Sequence, residues 1–167
     1  MRFIPYDPRY QNQVIGLVLY LQNCENRAEL SLTDQPELAD IPEYFFPGGG
    51  GFWLAVDEAD DRVVGTIGLM IRGRVGLLKK FFVDPAYRGR RAGVSAALFS
   101  RLTARARAEG LAQIVLDTPV RARRAHRFYR KTGFRETPRT ALPIPAAAPK
   151  VPSLFFLLDL PGAKPMP

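Results

Sequence analysis

The chain has 167 residues, 47% of them hydrophobic, with a formal net charge of +8, one histidine and one cysteine. That length and apolar content predict one domain over residues 1–167 with a substantial core. The lone Cys24 excludes an intrachain disulfide and, beside a single histidine, leaves no ligand spacing for a metal such as zinc.

No segment reaches the roughly 18 apolar residues that span a bilayer. Met1-Arg2-Phe3-Ile4-Pro5 lacks the apolar core of a secretion signal, which predicts a cytoplasmic protein that does not engage a membrane. Residues 2–5 read as a first strand. Asp7-Pro8 then opens a helix with an inward stripe of Val14, Leu17, Val18 and Leu21, on which Cys24 reads as a small buried hydrophobe. A short second helix is expected near Asp34-Gln35-Pro36-Glu37, taking in Leu38 and Ile41, and Pro47 to Gly51 reads as a flexible loop.

Three strands in meander order follow: Gly51 to Val56, Val63 to Leu69 across an acidic turn, and a third ending at Val83. The next helix turns Val94, Ala97, Leu98 and Leu102 inward, and Gln113 to Asp117 forms a short buried strand. Thr118 can cap a helix with Pro119 at its first position. On that helix Ala125, Phe128 and Tyr129 share one face. Gly133 ends it in a left-handed conformation and Phe134 begins another strand. A proline-rich connector, Pro138 to Pro152, leads to a closing strand, Ser153 to Leu160, and the tail 161–167 is expected to fray. Mixed helices and strands around one sheet give an α+β (mixed α/β) class.

The most specific run is Val83-Asp84-Pro85-Ala86-Tyr87-Arg88-Gly89-Arg90-Arg91-Ala92-Gly93, a strand end turning into a helix. Exposed N–H groups at a helix N-terminus, flanked by arginines, suit a phosphate-bearing ligand. Neither the Gly-Lys-Ser/Thr of a nucleotide P-loop nor the three glycines of a dinucleotide fold are present.

The run resembles the pyrophosphate turn of the GNAT superfamily, the acetyl-CoA-dependent N-acetyltransferases. The family pattern is Gln or Arg, two residues, Gly, one residue, then Gly or Ala. Arg88 and Gly93 match its ends, and Arg91 stands where the middle glycine occurs. The Arg91 side chain either crowds the loop or adds a phosphate contact. Ala125-His126-Arg127-Phe128-Tyr129-Arg130-Lys131-Thr132-Gly133-Phe134 is similar to the second signature, A-x-x-F-Y-x-x-x-G-F. The similarity extends upstream through the hairpin and covers residues 51–134 well.

The resemblance implies a mixed, mostly antiparallel sheet and transfer of an acetyl group from acetyl-CoA to an amine, with no metal. It implies a cofactor site of Phe82, Val83, Arg88, Gly89, Arg90, Arg91, Ala92, Gly93, Val94 and Ser95. The pyrophosphate would rest on main-chain N–H groups, Ser95 would add a hydroxyl, and the pantetheine arm would pair along Phe81 to Val83. Alternation lets only one of Phe81 and Phe82 face the ligand side. Tyr129 matches the tyrosine that protonates the departing thiolate in many members. Leu77 stands where many relatives carry a glutamate base. Asp117, Glu43, His126 or a water relay remain as candidates, with water the default.

The acceptor is expected on the side of residues 23–50, where Glu25, Glu29, Asp34, Glu37, Asp40 and Glu43 either favour a cationic amine or form a solvated face. Trp53 borders that pocket or anchors the core. The expected partners are a small-molecule or protein amine and no nucleic acid, for a monomer or homodimer. The alternatives are a silent acyl-CoA-binding sensor and a nucleic-acid-associated protein. Arginines cluster at Arg88 to Arg91 and from Arg121 to Arg130, flanking the expected cofactor site rather than interleaving with aromatics, which suits an anionic cofactor.

Overall fold

The computed structural model describes residues 1–162. Seven strands form one sheet in the order β1-β2-β3-β4-β5-β7-β6. They are β1 Arg2–Pro5, β2 Gly51–Asp57, β3 Arg62–Arg72, β4 Val75–Val83, β5 Gln113–Pro119, β6 Arg135–Thr137 and β7 Ser153–Asp159. All neighbours pair antiparallel except β4 and β5, which run parallel and are joined through a helix. The expected mixed, mostly antiparallel α+β sheet is therefore present.

Three helices, α1 Gln11–Cys24, α2 Pro36–Ala39 and α3 Ile41–Phe45, cover one face. Their apolar stripe (Val14, Val18, Leu38, Ile41, Phe45) packs on Phe52, Leu54, Val56, Val63 and Met70. The other face carries α4 Val94–Ala108 and α5 Arg123–Lys131, where Val94, Leu98, Leu102 and Tyr129 meet Ala55, Ile67, Leu78, Ile114 and Phe156. The central strands β2 and β3 are buried on both faces, which explains their unbroken apolar sequence. Trp53 is core, 7% exposed, beneath the Arg105 guanidinium.

Asp7 caps a 3-10 turn, Pro8–Tyr10, that leads into α1 as the Asp7-Pro8 signal requires. Gly133 has φ 104, the left-handed stop expected after α5.

Three details differ from the sequence reading. Helix α5 starts at Arg123, not at a Thr118–Pro119 cap, because β5 keeps pairing with β7 as far as Pro119 and Ser153. Cys24 is exposed at the last residue of α1 rather than buried. Pro47–Gly49 forms a 3-10 turn packed so closely that a Cβ on Gly50 would lie 2.0 Å from the Phe45 carbonyl oxygen; it is not a loose loop. The expected fraying of 161–167 falls, from residue 163 on, outside the described residues. No helix of the described residues is long and apolar enough to cross a membrane.

Candidate active site

Strands β4 and β5 pair only over Val75–Gln113, Gly76–Ile114 and Leu77–Val115. From Leu78 onward they part, so the β4 edge facing away from β3 loses its strand partner just before the phosphate-type turn. A gap flanked by an unsatisfied strand edge accepts an extended ligand as an added strand.

Within this stretch β4 carries a bulge. Thr66 opposes Phe82 but Gly68 opposes Lys79, so Ile67 faces both Lys80 and Phe81. Lys80 takes a left-handed φ of 53, and its carbonyl accepts a 2.6 Å hydrogen bond from the fully buried Thr66 hydroxyl. The extra residue reverses the facing of everything after it. Phe81 packs against Phe128 and Tyr129 on the α5 side, 5.4 and 6.3 Å between ring centroids, while Phe82 joins the α1–α3 core. Lys80 reaches α2, donating to Gln35 Oε1 at 2.5 Å and pairing with Glu37 at 3.0 Å. Gln35 is itself joined to Gln22 by two hydrogen bonds of 2.8 and 2.9 Å. Burial lowers the Lys80 pKa, and Glu37 opposes that shift.

The turn between β4 and α4 is braced at its entrance. Asp84 accepts from the Ala86 N–H at 2.9 Å and from Arg62 at 3.1 Å, and Tyr87 donates to Asp57 at 2.5 Å. Gly89 (φ 105) and Gly93 (φ 63) adopt conformations closed to most side chains. The Arg88 N–H bonds Pro85 and the Gly93 N–H bonds Gly89, but the N–H groups of Gly89, Arg90, Arg91 and Ala92 meet no acceptor among the described residues. The first N–H groups of α4 point into the same region, as in any helix. These donors fit a diphosphate, and none needs to be freed first.

Side chains here depart from the simple expectation. Arg88 turns away from the turn: it donates to Val83 O at 2.8 Å and bidentately to Glu25 at 2.9 and 2.7 Å. Arg90, Arg91 and Ala92 are exposed, so Arg91 does not plug the loop. Val94 is buried in the α4 core, and Ser95 is half-buried.

Tyr129 is 5% exposed, enclosed by Phe81, Phe134 and Phe156. Its hydroxyl has no hydrogen-bond partner among the described residues, and none of their fully buried side-chain polar atoms lacks one; the hydroxyl therefore touches accessible space. Burial raises the phenol pKa, and the charge of Asp117 raises it further.

The model of the Acetyltransferase (GNAT) family matches residues 17–134. The chain belongs to this family. It is 28% identical to N-acetyltransferase 8 of Homo sapiens over 135 residues, covering 77% of this chain and 58% of that protein. It thus spans little more than half the length of that curated relative. An acetyltransferase from Streptococcus agalactiae shares the fold with a TM-score of 0.88 at 33% identity, covering 95% of this chain and 98% of that one. The PaiA N-acetyltransferase of Thermoplasma acidophilum, solved with coenzyme A, shares the fold alone, with a TM-score of 0.69 at 11% identity, covering 95% of this chain and 98% of that one.

Against the GNAT pattern, the glutamate position is filled by Leu77, half-buried at the mouth of the strand gap. His126 is 4% exposed and its Nε2–H donates to Pro119 O at 2.9 Å, with burial lowering its pKa. It ties α5 to the end of β5. The acidic stretch is largely engaged: Glu25 with Arg88, Asp34 with Lys150, Glu37 with Lys80, and Asp40 capping α3 through the Glu43 N–H. Lys79, Lys80, Thr66 and Gln35 were missed in the sequence. Their signal was the Lys79-Lys80 pair, since two consecutive polar residues in an alternating strand point to an inserted residue.

Proposed function

We infer that the protein is an acetyl-CoA-dependent N-acetyltransferase acting by direct transfer to an amine. The observation that carries this reading is the adjacency of three features that lack partners among the described residues: the N–H groups from Gly89 to Ala92, the β4 edge beyond Leu77, and the Tyr129 hydroxyl. Together they answer the needs of a thioester reaction, which are to hold a diphosphate, orient an extended arm and supply a proton.

Acetyl-CoA, when bound, supplies an activated acetyl thioester. The N–H groups of Gly89 to Ala92 and the start of α4 hold its diphosphate, and Ser95 stands beside them. Phe82 and Val83 continue the strand edge along which the arm runs, and a main-chain N–H near the bulge is the donor to the carbonyl oxygen. Arg90 and Arg91 add attraction through their exposed guanidinium groups rather than by a fixed contact.

Tyr129 acts as the general acid. A phenol, with an ordinary pKa of about 10, is protonated at neutral pH, and burial keeps it so until negative charge develops on the leaving sulfur and draws the proton. No carboxylate replaces the glutamate at Leu77, and His126 donates to Pro119, so the amine loses its proton through water. A silent acyl-CoA sensor remains the second reading, favoured by the absence of a carboxylate at Leu77.

Calorimetric titration with coenzyme A, followed by thiol release from acetyl-CoA in a metabolite extract, tests both. Binding with a labelled acetylated product is expected. Binding without turnover would favour the sensor, and no binding would sink the reading.

A further inference from the structure

Where β4 and β5 part, Lys79 and Asp117 face each other across the gap, Nζ to Oδ1 3.3 Å, each side chain 34% exposed. Strand alternation puts Asp117 on the same sheet face as Val115, and Lys79 on that of Leu77. The pair lines a shallow recess of about 40 Å³, opening to solvent, whose other walls include Leu77, Val115, Leu142 and Ile144. Leu142 and Ile144 belong to the proline-rich connector, which packs back over the sheet on Val75, Val115 and Leu157. Among the described residues, no other charged side chain lines the recess.

Such a half-solvated pair contributes about 0–1 kcal/mol to a fold, and the strand pairing it spans has already ended at Leu77 and Val115. It does lie at the gap where β4 and β5 part, next to the β4 edge left without a strand partner. The neighbouring carboxylates that would make a cationic wall attractive are engaged by Arg88, Lys150 and Lys80.

We propose that Lys79 and Asp117 form the acceptor site and that it takes a free α-amino acid with an apolar side chain. This rests on the acetyl-transfer reading above. An α-amino acid carries an ammonium and a carboxylate on one carbon, and so matches two opposite charges a few ångströms apart. Asp117 receives the ammonium, Lys79 receives the carboxylate, and the side chain lies against Leu142 and Ile144. A polyamine would bring only positive charge to Lys79, and the side chain of a protein lysine would bring no carboxylate.

The step balances. The ammonium, held by Asp117, releases one proton to solvent through water, leaving a neutral amine. Its nitrogen bonds to the acetyl carbon as the carbon–sulfur bond breaks. The sulfur leaves with the bonding pair and takes the Tyr129 proton, and the second nitrogen proton restores the phenol. The products are an N-acetylamino acid, a free thiol and one proton.

The test compares leucine, valine, methionine and alanine with their decarboxylated amines, and with aspartate and spermidine, using the full chain and labelled acetyl-CoA. The apolar amino acids are expected to exceed their matched amines by at least about 100-fold in kcat/KM, because removing the carboxylate leaves Lys79 without its ligand. Lys79→Met is expected to raise the leucine KM about tenfold or more, with the acetyl-CoA KM unchanged and Lys79→Arg partly restoring it. Leucine titrated into the coenzyme A-saturated protein is expected to bind without turnover, and Lys79→Met to weaken that binding about tenfold or more. Decarboxylated amines or spermidine acetylated as well as leucine would overturn the proposal and leave acetyl transfer standing. Cofactor binding with no thiol release from any amine would overturn both.

Discussion

Arg88 reaches from the turn before α4 to Glu25 just past α1, closing two hydrogen bonds of 2.9 and 2.7 Å between segments 63 residues apart in sequence. The same guanidinium holds the Val83 carbonyl at 2.8 Å. Arg88 therefore ties the end of β4, the phosphate-type turn and the segment expected to flank the acceptor into one unit. At the first position of the GNAT turn, the Arg88 side chain thus makes a brace, and it points away from the unpartnered main-chain N–H groups of the turn.

Glu25→Gln removes the charge but not the shape of that brace. The pair is part-exposed, so the loss of stability is expected to stay within about 1 kcal/mol. If Arg88 positions the turn, coenzyme A affinity falls by up to roughly fivefold, the same energy read at the site. Calorimetry on Glu25→Gln and Glu25→Ala checks this. Affinity unchanged in both would show the pair to be a surface contact only.

Tyr129→Phe separates chemistry from folding. The hydroxyl makes no hydrogen bond among the described residues, while the ring packs against Phe81, Phe134 and Phe156. Removing the oxygen is expected to leave thermal stability and coenzyme A binding nearly unchanged. Turnover is expected to fall about 10²- to 10⁴-fold, the range for loss of a positioned acid. A variant that keeps full turnover would remove Tyr129 from the mechanism.

The pH dependence of turnover follows from the same residue. Burial, with Asp117, raises the phenol above its ordinary value of about 10. The acid form therefore persists across the neutral and mildly alkaline range, and the rate rises as the amine acceptor loses its proton. No descending limb from Tyr129 is expected below about pH 10. Initial rates from pH 6 to 10 with saturating acetyl-CoA test this, and a fall setting in near pH 8 would assign the acid to another group.

His126 governs acid stability instead. Burial depresses its folded pKa, so the unfolded chain binds the proton more readily. The stabilisation is fully present above the ordinary histidine value of about 6.5. It is lost as pH falls from there through the depressed folded value. Wild-type melting temperature is expected to drop across that window, and His126→Gln, which retains a donor for Pro119 O, to drop less steeply. Parallel pH profiles for the two proteins would refute the assignment.

Much of this was legible in the sequence because the relevant signals are local. Asp7-Pro8, Gly133 and the inward stripe of α4 each state a backbone requirement within a few residues. The turn from β4 into α4 was legible in the same way. The bulge was harder to read, since its one trace, the Lys79-Lys80 pair, does not say that the inserted residue reverses the facing of Phe81 and Phe82. The start of α5 was misplaced because Thr118-Pro119 is a good cap in isolation; pairing with Ser153, 34 positions away, keeps it in β5. The acidic stretch looked like one wall because its partners, Arg88, Lys80 and Lys150, are distant in sequence.

The bulge supplies the last prediction. Lys80 holds a left-handed φ of 53 that costs about 1 kcal/mol or more for a residue with a Cβ. It persists because Thr66 bonds its carbonyl and because Gln35 and Glu37 hold its ammonium. Thr66→Val keeps the volume and removes the 2.6 Å bond, and Lys80→Met leaves Glu37 without its ion-pair partner while Gln35 keeps Gln22. Each is expected to destabilise by about 1–3 kcal/mol, the range for a buried group losing its hydrogen bond. If the bulge aims the oxyanion donor, Thr66→Val also lowers kcat with little change in the acetyl-CoA KM. A Thr66→Val protein with lowered stability but wild-type kcat would confine the bulge to a structural role, because the donor would then sit correctly without the clamp.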